Sequence, residues 1–311
     1  MEQEIVILSQ GLKKNYGSVQ ALRGMDLEVH RGEVLGFLGP NGAGKTTSIR
    51  CMLDMIRPNG GILRVLGIDP QKDPLAVRAR VGYLPGELHM EGNFTVEGML
   101  RYLNRLRGGK ADWEFVRRMA ARIDLDLKIQ VKNLSKGNKQ KVGVIQALMH
   151  QPELLLMDEP TFGLDPLVQQ EVLRLVVEAR NEGATVFFSS HILSEVEAIA
   201  ERVGIIRAGV VVEVAEVSSL INRSLRRVRI RFKAIVDSSG LARLPGVKLL
   251  DSDDGHTAFL QVEGDIDSLI KALAAYPVSD FETERPTLEE VFLAYYGQDR
   301  VVDNETTLNP G

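Results

Sequence analysis

The chain has one cysteine, Cys51, so no intrachain disulfide can form. Alone, Cys51 reads as a small core residue and not as a redox group. No apolar run approaches the ~18 residues that span a bilayer. The N-terminus, Met1-Glu2-Gln3-Glu4, is acidic, and no signal-type apolar stretch follows it. These two absences lead us to expect a cytoplasmic protein; if it serves a membrane, another chain crosses it. Excess positive charge is also missing. A net charge of −4 gives no support to a whole-chain nucleic-acid binder. There is no internal repeat and no low-complexity block.

What is present is an ordinary globular composition, 44% apolar and 26% charged, and a length of 311 residues that favours two domains. The organising stretch is Gly39-Pro40-Asn41-Gly42-Ala43-Gly44-Lys45-Thr46-Thr47, which fits the phosphate-binding pattern G-x-x-x-x-G-K-[ST]. Val34 to Leu38 before it reads as a short buried strand. Ser48 to Ile56 after it carries Ile49, Met52, Leu53 and Ile56 at helical spacing. A loop joining a strand to a helix N-terminus aims backbone N–H groups and the positive end of the helix dipole at an anion. In that geometry Lys45 reaches the β- and γ-phosphates of a nucleotide and Thr46 offers its hydroxyl to Mg²⁺.

Strands are expected at residues 5–8 and 25–29, with a turn at Asn15-Tyr16-Gly17-Ser18, where Tyr16 is placed either to stack on a base or to fill the core. Further strands are expected at Ile62–Leu66 and Val81–Pro85, the second capped by its proline. Helices are expected at Thr95–Leu106, Trp113–Ile123 and from Ser135 to about His150, so that residues 88–150 form a helical insertion. Leu154-Leu155-Leu156-Met157 is a fully apolar strand, as suits the centre of a parallel sheet. A helix at Val168–Glu182, a strand at Thr185–Ser190, a helix running to about Arg202 and a hairpin turning at Ala208-Gly209 complete an α/β pattern. Composition shifts near Ser218–Asn222. Beyond it we expect a small α+β domain: Val228, Ile230 and Phe232 alternate with Arg227, Arg229, Arg231 and Lys233. Strands at Thr257–Val262 and Val278–Glu284 and helices at Asp265–Ala275 and Leu288–Tyr296 follow, then a loose tail from Asp299.

The apolar strand ends in Asp158-Glu159, at the carboxyl end where α/β folds bind ligands. Asp158 is suited to hold Mg²⁺ and Glu159 to polarise an attacking water as general base. His191 ends the next strand, within reach of a phosphate or that water. Leu134-Ser135-Lys136-Gly137-Asn138-Lys139-Gln140 puts Ser135 and Gly137 at a second helix N-terminus. One chain does not easily aim two helix N-termini at one phosphate from opposite sides; two chains do. Gly163-Leu164-Asp165 would then lie at the interface between them.

In this order the motifs resemble the nucleotide-binding subunit of an ABC transporter, over residues 4–220. The A-loop aromatic is Tyr16, Walker A runs from Gly39 to Thr47, and the signature from Leu134 to Gln140. Walker B with its glutamate is Leu154 to Glu159, the D-loop Gly163 to Asp165, the H-loop His191. The resemblance implies a P-loop cassette with a mostly parallel central sheet, antiparallel strands and a helical subdomain. It implies ATP and Mg²⁺ as cofactors, and two cassettes, identical or not, sandwiching ATP head to tail. It also implies a separate transmembrane permease holding the subunit at the inner face of the cell membrane, and no nucleic acid. Catalytic roles carry over to Glu159 and His191. Nucleotide contact carries over to Tyr16, Gly39, Pro40, Asn41, Gly42, Ala43, Gly44, Lys45, Thr46, Thr47, Ser135, Gly137 and Asp165, and metal binding to Thr46 and Asp158. Glu284-Arg285-Pro286-Thr287-Leu288-Glu289-Glu290-Val291-Phe292 is similar to the ending of ATPase subunits of ABC-2-type exporters, which carry a small C-terminal domain. On that basis residues 1–220 are the cassette, 221–298 the small domain and 299–311 a tail.

Two motifs depart from the family pattern. The signature Leu-Ser-Gly-Gly-Gln here reads Leu134-Ser135-Lys136-Gly137-Asn138, and the Q-loop glutamine expected after Pro85 is Gly86, followed by Glu87. A soluble mechanical ATPase working on DNA or ribosomes, and a weakly hydrolysing regulatory module, are the competing readings. The first has the basic strand Arg223–Lys233 in its favour, which lacks interleaved aromatics and equally reads as a solvated face. Leu88, Met90 and Phe94, between Leu84 and Met99, are expected either to tuck into the helical core or to form an apolar docking patch for the permease.

Overall fold

The structure is a computed structural model that describes residues 4–223, 226–253, 255–263 and 265–284. Ile5–Tyr16 (β1) and Val19–His30 (β2) pair antiparallel. Both are far longer than the expected strands. Their alternation is broken by register shifts, one of them beside Gly11, whose N–H donates to the Asp26 carboxylate at 2.6 Å. Val34–Leu38 (β3) leads through the glycine-rich loop into Lys45–Met52 (α1). The helix stops short of the expected Ile56. Asp54 takes a left-handed φ of 48°, and the Arg78 guanidinium donates to the carbonyls of Leu53 and Asp54 at 2.8 and 2.9 Å. Gly60–Val65 (β4) joins β1 to complete a three-stranded antiparallel sheet.

Arg78 lies on Pro74–Arg80 (α2), a helix absent from our sequence reading, capped by Asp73 through Ala76 N–H. Its burial is limited to Val77, so no amphipathic stripe announces it. Val81–Leu84 (β5) precedes the helical insertion of Val96–Leu106 (α3), Trp113–Arg122 (α4) and Lys136–Leu148 (α5). Their caps are Thr95, Asp112 and Ser135. α5 packs on both α3 and α4 and on β5. Leu88 and Leu84 lie over Gly143 of α5, where a Cβ would find no space, so Leu88 packs on the helical insertion, and Met90 is buried. Phe94 stays 67% exposed.

Leu154–Asp158 (β6), Pro166–Asn181 (α6), Thr185–Ser190 (β7), Leu193–Ile199 (α7), Arg202–Arg207 (β8) and Val210–Glu216 (β9) complete this unit. The helix before β8 ends three residues earlier than expected because Arg202 already belongs to the strand, where its guanidinium pairs with buried Glu33 at 2.9 Å. The main sheet has the order β5-β6-β7-β3-β8-β9, parallel from β5 to β8. Leu154 to Met157, Val186 to Phe188 and Phe37 are fully buried, and the Phe37 and Phe187 rings meet at 5.0 Å across β3 and β7.

The chain divides at Ala215/Glu216 into two compact units. The second holds Val217–Arg223 (α8), Arg226–Phe232 (β10), Val247–Asp253 (β11), Thr257–Val262 (β12), Asp267–Leu273 (α9) and Val278–Glu284 (β13). Its antiparallel sheet runs β11-β12-β10-β13. As the alternation predicts, Val228, Ile230 and Phe232 are buried, together with Leu260, Val262 and Leu269. Arg227, Arg229 and Arg231 on the other face stand opposite Glu284, Glu282 and Asp280 of β13, and Arg229 pairs with Glu282 at 3.2 Å. The Arg229–Glu282 pair shows this basic face meeting acidic residues of β13 within the sheet. The expected helix at Leu288–Tyr296 and the tail lie outside the described residues.

Candidate functional site

Parallel strands that end level with one another build this site. Leu38 is in register with Ser190 of β7 and Ile205 of β8, and Asp158 with Ser189. The glycine-rich loop, the acid pair and His191 thus leave the sheet at one edge. Gly44 turns the loop into α1 at φ 116°, and a Cβ there would fall 2.8 Å from the Ala21 carbonyl oxygen, so both conformation and space require glycine. The loop encloses a cavity of about 170 Å³ lined by Ala21, Pro40, Asn41, Gly42, Gly44, Lys45, Thr46, Thr47 and Glu159. Gly39 and Ala43 flank it. The Lys45 ammonium is buried beside the cavity, donating to the Gly39 carbonyl at 2.5 Å and lying 3.4 Å from Glu159 Oε1.

Asp158 is buried at the end of β6. Thr46 Oγ1 donates to its Oδ2 at 2.7 Å and Ser189 Oγ to its Oδ1 at 2.5 Å. A hydroxyl and a carboxylate side by side are hard oxygen donors, the set that suits Mg²⁺. Gly86 sits against the same carboxylate: a Cβ there would be 3.2 Å from Asp158 Oδ2, and Glu87 is exposed. Burial, and then the Asp158 charge, push the Tyr83 phenol up.

Glu159 turns out of β6 with φ 51°, a left-handed conformation rare for a glutamate. Its N–H donates to the Ser189 carbonyl at 3.0 Å, and the Gln140 side-chain amide donates to the Glu159 and Pro160 carbonyls, each at 3.1 Å. Held so, its carboxylate reaches His191 Nδ1 at 2.7 Å through Oε2 while Oε1 faces Lys45. Cation, carboxylate and half-exposed imidazole form a row at the cavity mouth, which is an arrangement for binding phosphate and moving a proton from water.

The ABC transporter family model matches residues 22–162, and a model described as ATP-binding protein DrrA1-3-like, C-terminal domain, matches residues 219–296. Bacitracin transport ATP-binding protein BcrA of Enterococcus faecalis is 35% identical over 227 residues, 72% of this chain and 73% of that protein. Daunorubicin resistance ATP-binding protein DrrA3 of Streptomyces coeruleorubidus is 32% identical over 315 residues, covering 96% of this chain and 98% of its own. The chain belongs to the ATP-binding subunits of ABC transporters. Among solved structures, an ATP-binding subunit of an ABC transporter aligns with a TM-score of 0.63 at 28% identity, over 69% of this chain and 91% of that one. A dimeric bacterial ABC transporter cassette shares the fold with a TM-score of 0.62 at 21% identity, over 68% and 98%.

As a member of this family the chain is an ATP-binding ATPase, the motor subunit of a transporter. No helix among the described residues is long and apolar enough to cross a membrane. Of the residues singled out from sequence, Pro40 to Thr47, Asp158, Glu159 and His191 converge. Ser135, Gly137 and Asp165 form a second group that does not line the cavity. Ser135 caps α5 by accepting from Asn138 N–H at 3.2 Å, and Asp165 caps α6 by accepting from Val168 N–H at 3.1 Å. The two segments touch: a Cβ on Gly137 would stand 2.8 Å from the Gly163 carbonyl oxygen. Lys136, at a glycine position of the family signature, stacks its ammonium 4.2 Å over the Phe162 ring. Tyr16 ends β1, 44% exposed, and is not among the cavity-lining residues. Sequence reasoning missed Ser189, Glu195 and the part played by Gln140. The signal for the first was two serines following the apolar run Val186-Phe187-Phe188 at the end of the strand.

Proposed function

We propose that residues 1–220 act as a cassette that binds Mg·ATP at the Gly39–Thr47 loop and closes on the Ser135–Gly137 segment of a second cassette, identical or related. In this reading Lys45 leaves the Gly39 carbonyl for the β- and γ-phosphates. Thr46 and Asp158 hold Mg²⁺, which when bound neutralises phosphate charge. Glu159 accepts the proton of the attacking water, and His191 holds Glu159 and the terminal phosphate in place. Tyr16 contacts the base and Asp165 faces the partner. Residues 221–298 form the small C-terminal domain and 299–311 a tail. The subunit works from the cytoplasmic face through a separate transmembrane permease. Export is the direction we favour, from the match to a DrrA1-3-like C-terminal domain and the relative named for daunorubicin resistance.

The observation that carries this reading is the Lys45–Glu159–His191 row beside the Thr46–Asp158 pair, five side chains from three separate segments at one site. The exposed N-terminus of α5, away from that cavity, supports the two-chain sandwich. Its test is Ser135→Glu in a Glu159→Gln background, followed by light scattering with Mg·ATP. The single variant should become dimeric. The double variant should stay monomeric while binding ATP as before, because a carboxylate at Ser135 repels the phosphate of the opposing site. Equal dimerisation of both would refute the sandwich.

A further inference from the structure

Beneath the catalytic row lies a buried acid that the proposed chemistry does not use. Glu195 of α7 is 5% exposed. Its carboxyl accepts hydrogen bonds from Thr161 Oγ1 and from Ser190 Oγ, the latter at 2.9 Å. Both donors are fully buried. Thr161 follows Glu159 by two residues, at the start of the turn into Gly163-Leu164-Asp165, where its carbonyl accepts from Leu164 N–H at 3.1 Å. Ser190 directly precedes His191, and its hydroxyl accepts from Ile192 N–H at 2.9 Å. A carboxyl placed in a protein interior is costly, and burial pushes that of Glu195 up. Such a group persists where it organises what surrounds it.

We propose that Glu195 is a positioning residue: by holding Thr161 and Ser190 together it fixes the separation of the two backbone segments that carry Glu159 and His191. The inference rests on the roles given above to those two residues. Glu195 thus adds a tie below the site to their own 2.7 Å hydrogen bond and to the bond from Glu159 N–H to the Ser189 carbonyl. The lower tie matters because Glu159 sits at φ 51°, a conformation that its surroundings must enforce. Glu195 touches neither the phosphate cavity nor Lys45, so its removal deletes no nucleotide contact.

The test compares the full-length wild type, Glu195→Ala and Glu195→Gln. Displacing a proton acceptor by a fraction of an ångström to an ångström costs roughly 10- to 100-fold in turnover. Glu195→Ala should therefore lower kcat by at least about tenfold. Calorimetric ATP affinity should not fall; loosening of Glu159 from Lys45 tightens it by at most about fivefold. Glu195→Gln, which keeps one acceptor, should recover part of kcat. The ring signal of His191, one of five histidines and assigned by its loss in a His191→Gln variant, should move in the NMR spectrum of Glu195→Ala without nucleotide. Unchanged kcat, or an unmoved His191 signal, overturns the proposal, as does a loss of ATP affinity in step with kcat. If Glu195→Ala does not fold, the near-isosteric Thr161→Val must reproduce the kcat loss and the His191 shift, and failure to do so overturns it equally. Should Glu159→Gln itself keep full turnover, the underlying assignment of the catalytic pair fails instead, and the two failures are told apart.

Discussion

Replacing Glu159 by Gln changes one atom's chemistry and almost no volume. In the folded site the carboxylate does two things: it accepts from His191 Nδ1 at 2.7 Å and lies 3.4 Å from the Lys45 ammonium. The amide oxygen can keep the first contact. It loses the second, and with it the basicity needed to take a proton from water. A general base supplies about 10²- to 10⁴-fold, so kcat should fall by that factor. Binding should move the other way. The bare Coulomb attraction of a pair at that distance is about 5 kcal/mol at an effective dielectric near 20. Both groups are already desolvated, with side chains 6% and 18% exposed, so only a small net part survives. Taking about 1 kcal/mol, releasing Lys45 from Glu159 should tighten ATP binding by roughly fivefold. Single-turnover hydrolysis and a fluorescent-nucleotide titration on the same preparation measure both quantities. Hydrolysis within about twofold of wild type would remove Glu159 from the role of base, because no base worth the name contributes so little. Weaker binding would show that Lys45 depends on Glu159 for its placement.

Two further outcomes are expected. Phe94→Asp, on the one member of the loop trio that stays exposed, should reduce co-purification with the membrane partner and stimulated ATPase while leaving ATP binding of the isolated subunit unchanged; full co-purification would move the docking site elsewhere. Leu156→Ala, at a fully buried position in β6, should destabilise the protein by about 2–5 kcal/mol in a denaturant titration, and a loss below about 1 kcal/mol would mean the strand's surroundings collapse into the space.

How far the sequence could be read differs from place to place for physical reasons. The loop Gly39–Thr47, the run Leu154–Glu159 and the capped helices at Thr95 and Ser135 are local patterns. Each residue's role there is set by its neighbours in the chain, and reading the chain finds them. β1 and β2 were read as short because the pairing slips at several points along them, and each slip reverses which face a side chain occupies. α2 hides for a different reason, presenting one buried residue in two turns. The arginines of β10 looked like a binding face until β13 set acids across from them, a pairing between segments some fifty positions apart. Ser189, Glu195 and the Gln140 amide escaped for the same reason. Their partners, Asp158, Thr161 and the Glu159 carbonyl, are brought to them by the fold alone. Leu88 and Met90 are apolar residues in a loop, and only the fold settles that Leu88 lies against α5 and that Met90 is buried.

In the proposed reading the Gly39–Thr47 loop holds the nucleotide phosphates with Lys45 as their side-chain cation. A calorimetric titration of Mg·ATP into wild type and Lys45→Ala tests it most directly. A charge-assisted contact of this kind is worth about 2 kcal/mol or more, roughly thirtyfold in affinity. The wild type should give a saturating isotherm, and Lys45→Ala one weakened by at least that factor in a protein that melts normally. A variant that binds ATP as the wild type does would contradict the assignment of this loop as the nucleotide site.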